Sequence, residues 1–215
     1  MTIKLTLVAI VIIVLAGLAF SLWAYPRLPE MAPSHWNAAG EVDDTMRREI
    51  LVVLMPALTL VIGLLLLYIP YIDPLRANVE RFRGALNWFI AGVCVFFLFI
   101  HVATILAGLG INFNMTYLLI PAASLVMLGI GFVLDKTKPN WFMGIRTPWT
   151  LTSPTVWEKT HCLGGLLFKL GAAVMLVGLL IPPEAAFLLI IGVILVITIS
   201  TILYSYFAYR AEQTS

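Results

Sequence analysis

The sequence predicts an all-α, polytopic membrane protein with six transmembrane helices. Three observations carry this: 61% of the 215 residues are apolar, only 11% are charged, and the apolar residues gather in six long runs. A soluble globular chain carries about 45–50% apolar and about 25% charged residues. This composition therefore lacks the polar surface that a water-exposed domain needs. The same numbers exclude disordered, collagen-like and coiled-coil organisations. Thirteen Lys plus Arg against eleven Asp plus Glu leave a net charge of +2, too balanced for direct nucleic-acid binding.

The six runs cover residues 5–24, 50–72, 85–107, 115–134, 163–181 and 185–208. Each is close to or above the ~20 helical residues that cross a hydrocarbon core of roughly 30 Å. The first follows Lys4 but is longer than a signal-peptide core, and Leu22-Trp23-Ala24 is a poor cleavage site, so a retained helix is expected. Most runs carry no formal charge, and the fifth carries Lys169. Lys169 sits close enough to one end to snorkel out of the bilayer, although an ionisable residue within a span is also a functional candidate. Asn87, near the start of the third run, reads as a polar contact between helices. Cys94 and Cys162 lie far apart and are expected to be free thiols.

Orientation follows the bias of Lys and Arg toward cytoplasmic loops. With both termini inside, the inner face takes Lys4, Arg76, Arg81, Arg83, Lys136, Lys138, Arg146, Lys159, Lys169 and Arg210, and the outer face only Arg27, Arg47 and Arg48. The expected location is thus a cell membrane, with both termini on its cytoplasmic side. The chain divides into residues 1–72, two spans enclosing an outer loop (25–49); residues 73–134, spans three and four; and residues 135–215, an inner loop (135–162) with spans five and six. Pro182-Pro183-Glu184 is short enough to force the last two spans into an antiparallel pair. No internal repeat is evident.

In the outer loop, Pro26, Pro29 and Pro33 forbid a continuous helix and hold the chain extended, and Gly40 permits a reversal. Asp43-Asp44-Thr45 is placed to cap the helix of the second span. His35, Trp36 and Asn37 set an ionisable ring, an indole and an amide side by side. They form either a patch for a ligand arriving from outside or an interface-seated Trp with local turn bonding. His101, near the outer end of the third span, is within conceivable reach of His35. Two separated histidines make a weak metal signal, so no metal and no other cofactor is expected.

The inner loop is richer. Ser153-Pro154 is a strong helix start, leading through Trp157 to His161 and into the fifth span, with Gly164-Gly165 permitting a bend. Trp141, Phe142, Trp149 and Trp157 among basic residues suit the headgroup region. Thr147, Thr150, Thr152, Ser153 and Thr160 beside Arg146 and His161 suit either recognition of an anionic group or local capping. No hydrolase signature occurs, and no carboxylate lies within a span, so no catalytic residues are expected.

On these two loops the chain resembles the SdpI family of bacterial and archaeal immunity proteins. The inner residues that carry the resemblance are Pro139-Asn140, Gly144, Arg146-Thr147-Pro148-Trp149-Thr150-Leu151, Trp157, Thr160-His161 and Gly164-Gly165. The outer ones are Leu28-Pro29, Pro33, His35-Trp36-Asn37 and Gly40, similar to the domain of unknown function that often precedes the family signature. The resemblance implies a non-enzymatic, multi-pass protein that protects its host from a secreted, membrane-active toxin peptide. It further implies signalling, by holding a transcriptional repressor at the membrane. It singles out His35, Trp36, Asn37, Asn140, Gly144, Arg146, Thr150, Trp157, Thr160 and His161. Two other classes stay open: a transporter or exporter of a peptide or lipid, and a membrane enzyme on lipid headgroups with His161 as base and Arg146 as anion clamp.

Overall fold

A computed structural model describes residues 1–214. Its order is α1 (Ile3–Ala24), β1 (Met31–Trp36), β2 (Val42–Arg47), α2 (Arg48–Tyr68), α3 (Arg76–Glu80), α4 (Arg83–Gly108), α5 (Met115–Leu134), α6 (Pro148–Thr152), α7 (Pro154–Leu176) and α8 (Pro183–Gln213). Six of the helices are long and apolar enough to cross a bilayer. They are α1, α2, α4, α5, α7 and α8, the same six runs that the sequence predicts.

Large apolar side chains such as Leu22, Leu125, Leu180 and Leu188 stay exposed around the bundle, as a lipid-facing surface requires. The interior holds three clusters. One is built on Ile10, Leu67, Leu86 and Ile90, a second on Ala24, Leu28, Leu51 and Ile105, and a third on Met127, Ala172, Met175 and Ile197. These clusters follow a division into halves. Helices α1, α2 and α4 pack on one another, α7 packs between α5 and α8, and the halves meet along α4 and α5.

Hydrogen bonds at both ends of the bundle tie its elements together, some within a half and some between the halves. At one end, Asn87 Nδ2 donates to the Met1 carbonyl at 3.0 Å, and the α3 residue Asn78 donates to the Pro139 carbonyl at 2.9 Å. Arg83, buried at the start of α4, donates to the Leu67 carbonyl at the last turn of α2 and pairs with Glu80. At the other end, Asn114 accepts from the Tyr117 N–H as the α5 N-cap and donates through Nδ2 to the Ala39 carbonyl at 2.6 Å. Asn114→Ala removes both bonds. It is expected to cost about 1 kcal/mol and to open residues 37–41 to cleavage, measured by limited proteolysis in detergent.

Three expectations are corrected. The outer loop is a two-stranded antiparallel hairpin, with Met31 opposite Arg47 and Pro33 opposite Thr45. Pro33 lies in extended β1, whereas Pro26 sits in a helical turn at Tyr25–Arg27; Asp43, Asp44 and Thr45 lie in β2 and cap nothing, and α2 begins at Arg48 after an Arg47 N-cap without a side-chain bond. The reversal falls at Asn37–Glu41 with Gly40 at φ 78°.

The second correction concerns Gly164-Gly165. Helix α7 passes through both without interruption, because their missing side chains serve packing. A Cβ on Gly165 would meet the Asp135 carboxylate and the Gly131 carbonyl, so α5 and α7 cross backbone to backbone. The third concerns length. Helix α8 runs on to Gln213, since its backbone bonds continue past the apolar run.

Candidate functional site

The residues of the 135–162 loop converge on one ring. His161 projects from the second turn of α7 and stacks on Trp157, with centroids 4.0 Å apart and planes 17° from parallel. Its Nδ1 lies 2.8 Å from the Trp157 carbonyl, and its Nε2 lies 2.9 Å from the Ile145 backbone nitrogen. A carbonyl only accepts and an amide N–H only donates. The ring therefore carries its proton on Nδ1 and accepts at Nε2. Both ring nitrogens are engaged, so neither is open to a substrate or a metal ion.

Gly144 makes this contact possible. It sits at φ 103°, a conformation that side-chain-bearing residues rarely adopt. A Cβ there would collide with His161 Nε2. The loop backbone thus closes onto the imidazole, and Ile145 then packs its side chain over Gly164.

The remaining signature residues brace this closure. Asn140 donates to the Lys138 and Met143 carbonyls and accepts from the Phe142 and Met143 N–H groups, filling its hydrogen-bonding capacity. The Trp157 indole donates to the Thr137 carbonyl at 3.1 Å. Thr147 caps α6, and its hydroxyl also meets Ser205 of α8 at 3.0 Å. Thr150 completes the capping box and donates to the Ile145 carbonyl at 2.8 Å. Ser153 caps α7, and Thr152 donates to the Pro148 carbonyl. Thr147, Thr150, Thr152 and Ser153 are therefore caps and turn formers, each with its oxygen bonded to nearby backbone. Thr160 is fully buried, and its hydroxyl finds no partner among the described residues.

Arg146 is the exception, because it points outward. Its guanidinium donates to the Trp141 carbonyl at 2.6 Å and joins no ion pair among the described residues. Trp141 and Phe142 are exposed beside it. This leaves an exposed cation with free donors on the same loop surface as two exposed aromatic residues, with the loop held from beneath.

Four further residues at this end escape the sequence reading. Asp73, buried after α2, accepts from Leu75 N–H and, through Oδ2, from Trp141 N–H at 2.9 Å, and Asn78 holds Pro139. Ser205 meets Thr147, and Asp135 pairs with Lys169 at 2.7 Å. Asp73-Pro74 marks a turn in the sequence, but nothing local signals a partner so far along the chain. Lys169 does reach the end of the bundle, and the carboxylate it meets there neutralises it.

The outer candidates separate. His35 is exposed and bonds Asp43 across the hairpin, Nδ1 to Oδ1, at 2.6 Å. Asn37 accepts from Glu41 N–H within the turn, and Trp36 is half-buried. His101 does not join them. It is 1% exposed, roughly two turns below the point where Leu28 and Ala32 pack against Gly108. Its Nε2 contacts Ser21 at 2.8 Å, and Ser21 donates to the Val52 carbonyl. The ring pins α1 and α4 together, which corrects the expected approach to His35. Among the described residues, no group of three His, Cys, Asp or Glu side chains is placed to hold a metal ion. Cys94 and Cys162 are free, as expected.

His161→Phe keeps the stack on Trp157 and removes the acceptor. With the Ile145 N–H left unpaired, the loop is expected to lose about 1–2 kcal/mol. The check is amide hydrogen exchange at Ile145, which should accelerate while exchange in α1 and α4 stays unchanged.

Comparison with known proteins agrees with this division. The SdpI/YfhL protein family matches residues 136–205, which hold the loop, α6, α7 and most of α8. A domain of unknown function, DUF1648, matches residues 12–60, which hold most of α1, the hairpin and the first half of α2. The chain is 24% identical over 208 residues to Immunity protein SdpI of Bacillus subtilis (strain 168), covering 96% of this chain and 97% of that protein. No solved structure matches it.

Proposed function

Because residues 136–205 match the SdpI/YfhL protein family, we propose that the chain is a membrane immunity protein that protects its host from a secreted, membrane-active toxin peptide. The observation that carries the reading is the end-to-end alignment with an immunity protein, which takes in both halves of the bundle and both loops. Orientation is proposed from charge. The end bearing the 135–162 loop and both termini holds ten of the thirteen Lys and Arg residues, and the hairpin end holds Arg27, Arg47 and Arg48. The first end then faces the cytoplasm.

In this orientation the hairpin, with His35, Trp36 and Asn37, meets the incoming peptide. The Arg146 face with Trp141 and Phe142 meets a soluble partner inside, of which a transcriptional repressor is one. Two details weigh against the rival classes. A base at His161 needs a free nitrogen, and both are bonded. A polar transport pathway needs aligned groups, whereas Asn87, His101 and Lys169 are each held by separate neighbours.

The test is expression in a sensitive host, with survival and membrane potential followed during challenge by membrane-active peptides. Protection is the expected result. Unchanged killing of cells that hold the correctly inserted protein would overturn the reading and favour a transporter.

A further inference from the structure

A cleft of about 650 Å³ lies between α4 and α5, where the two halves meet. Its walls include Trp88, Phe89, Gly92, Phe96 and Leu125, and Lys136 stands at one end. Trp88 and Leu125 are strongly exposed, so the cleft opens sideways from the bundle into the space that lipid occupies. From Ala85 to Phe99 it follows α4 for roughly 21 Å. That is enough for one acyl chain, whose leaflet is about half of a ~30 Å core.

The open side exists because the halves are tied mainly at their ends, through Asn78 and Asp73 at one and Asn114 at the other. Gly92 contributes no side chain, and a Cβ there would meet nothing within 4 Å. Lys136 is exposed and joins no ion pair among the described residues. The neighbouring carboxylate, Asp135, is already held by Lys169. One uncompensated cation therefore sits over the mouth of an apolar slot, at the bundle end that carries most of the positive charge. That is the arrangement an anionic lipid requires, with the phosphate at the ammonium and the chain between the helices.

We propose that the α4–α5 cleft is a binding site for an anionic phospholipid, with Lys136 taking the headgroup phosphate and the slot past Gly92 taking an acyl chain. The site is independent of the immunity reading, since it needs only the bilayer that surrounds the protein.

Native mass spectrometry of the intact, delipidated protein tests it, with phosphatidylglycerol and phosphatidylcholine of matched chains as probes. The wild type is expected to retain phosphatidylglycerol about fivefold over phosphatidylcholine, the preference of one well-placed lysine. Lys136→Ala should bring the ratio to near one, and Lys136→Arg should restore it. Gly92→Leu, which fills open space, should reduce retention of both lipids while leaving the unfolding temperature unchanged. Equal retention of the two lipids by the wild type overturns the proposal. So does a preference that survives Lys136→Ala, or a dimer mass that Gly92→Leu abolishes, which would assign the slot to a second copy.

Discussion

Gly144→Ala is expected to destabilise the signature loop by about 3 kcal/mol and to abolish any function that the loop carries. Two costs combine. A side chain at a φ of 103° costs about 1–2 kcal/mol. The new Cβ would also fall on His161 Nε2, and forcing an extra carbon into a packed site costs about 1–3 kcal/mol. The collision cannot relax freely, because the imidazole is held by its stack on Trp157 and by the Trp157 carbonyl. The loop must lift instead, and the Ile145 N–H then loses its acceptor. Thermal unfolding in detergent, followed by tryptophan fluorescence, is the measurement. Gly92→Ala is the control, since that Cβ enters open space within a helix and should leave stability level or slightly raised. Equal unfolding of Gly144→Ala and wild type would show that the loop does not depend on the closure.

The spans were legible because lipid selects for apolar residues along their whole length, and 115–134 coincides with α5 to the residue. Their ends were less so. Hydropathy falls where side chains turn polar, but backbone hydrogen bonds continue, and α7 therefore starts at Pro154, well before the apolar run at 163. Ser153-Pro154 revealed that start, since a cap and its proline act within one turn.

The hairpin was not legible. Neither MAPSHW nor VDDTMR alternates apolar with polar residues, and Pro33 argues against a strand. Its pairing is supported from outside, by Leu28 and Ala32 packing against Gly108 and by Asn114 bonding the turn.

Within the site, sequence named the members and missed their connections. Asn140, Gly144, Thr147, Thr150, Trp157 and His161 do come together, but the residues that fasten their loop to the first half are Asp73, 68 positions from Trp141, and Asn78, 61 positions from Pro139. Sequence also left the hydroxyls open between anion recognition and capping. Only their direction decides this, and direction is a property of the folded loop.

Arg146→Ala is expected to remove protection while leaving the protein folded, inserted and expressed at the wild-type level. The residue is exposed, and its one bond, to the Trp141 carbonyl, is worth about 1 kcal/mol at most. The loop beneath keeps its Asn140 turn, its capping box and its His161 closure. Arg146→Ala is thus the reverse of Gly144→Ala, with a small effect on unfolding and a large effect on survival under peptide challenge. Arg146→Lys sharpens the comparison. Lysine keeps the charge but not the planar fork, so a partner gripped through paired donors rejects it, whereas one held by charge alone accepts it. Full protection by Arg146→Ala at equal expression would remove this face from the mechanism and leave the hairpin as the site of action. Loss with alanine and recovery with lysine would identify the inner partner as an anionic surface recognised by charge.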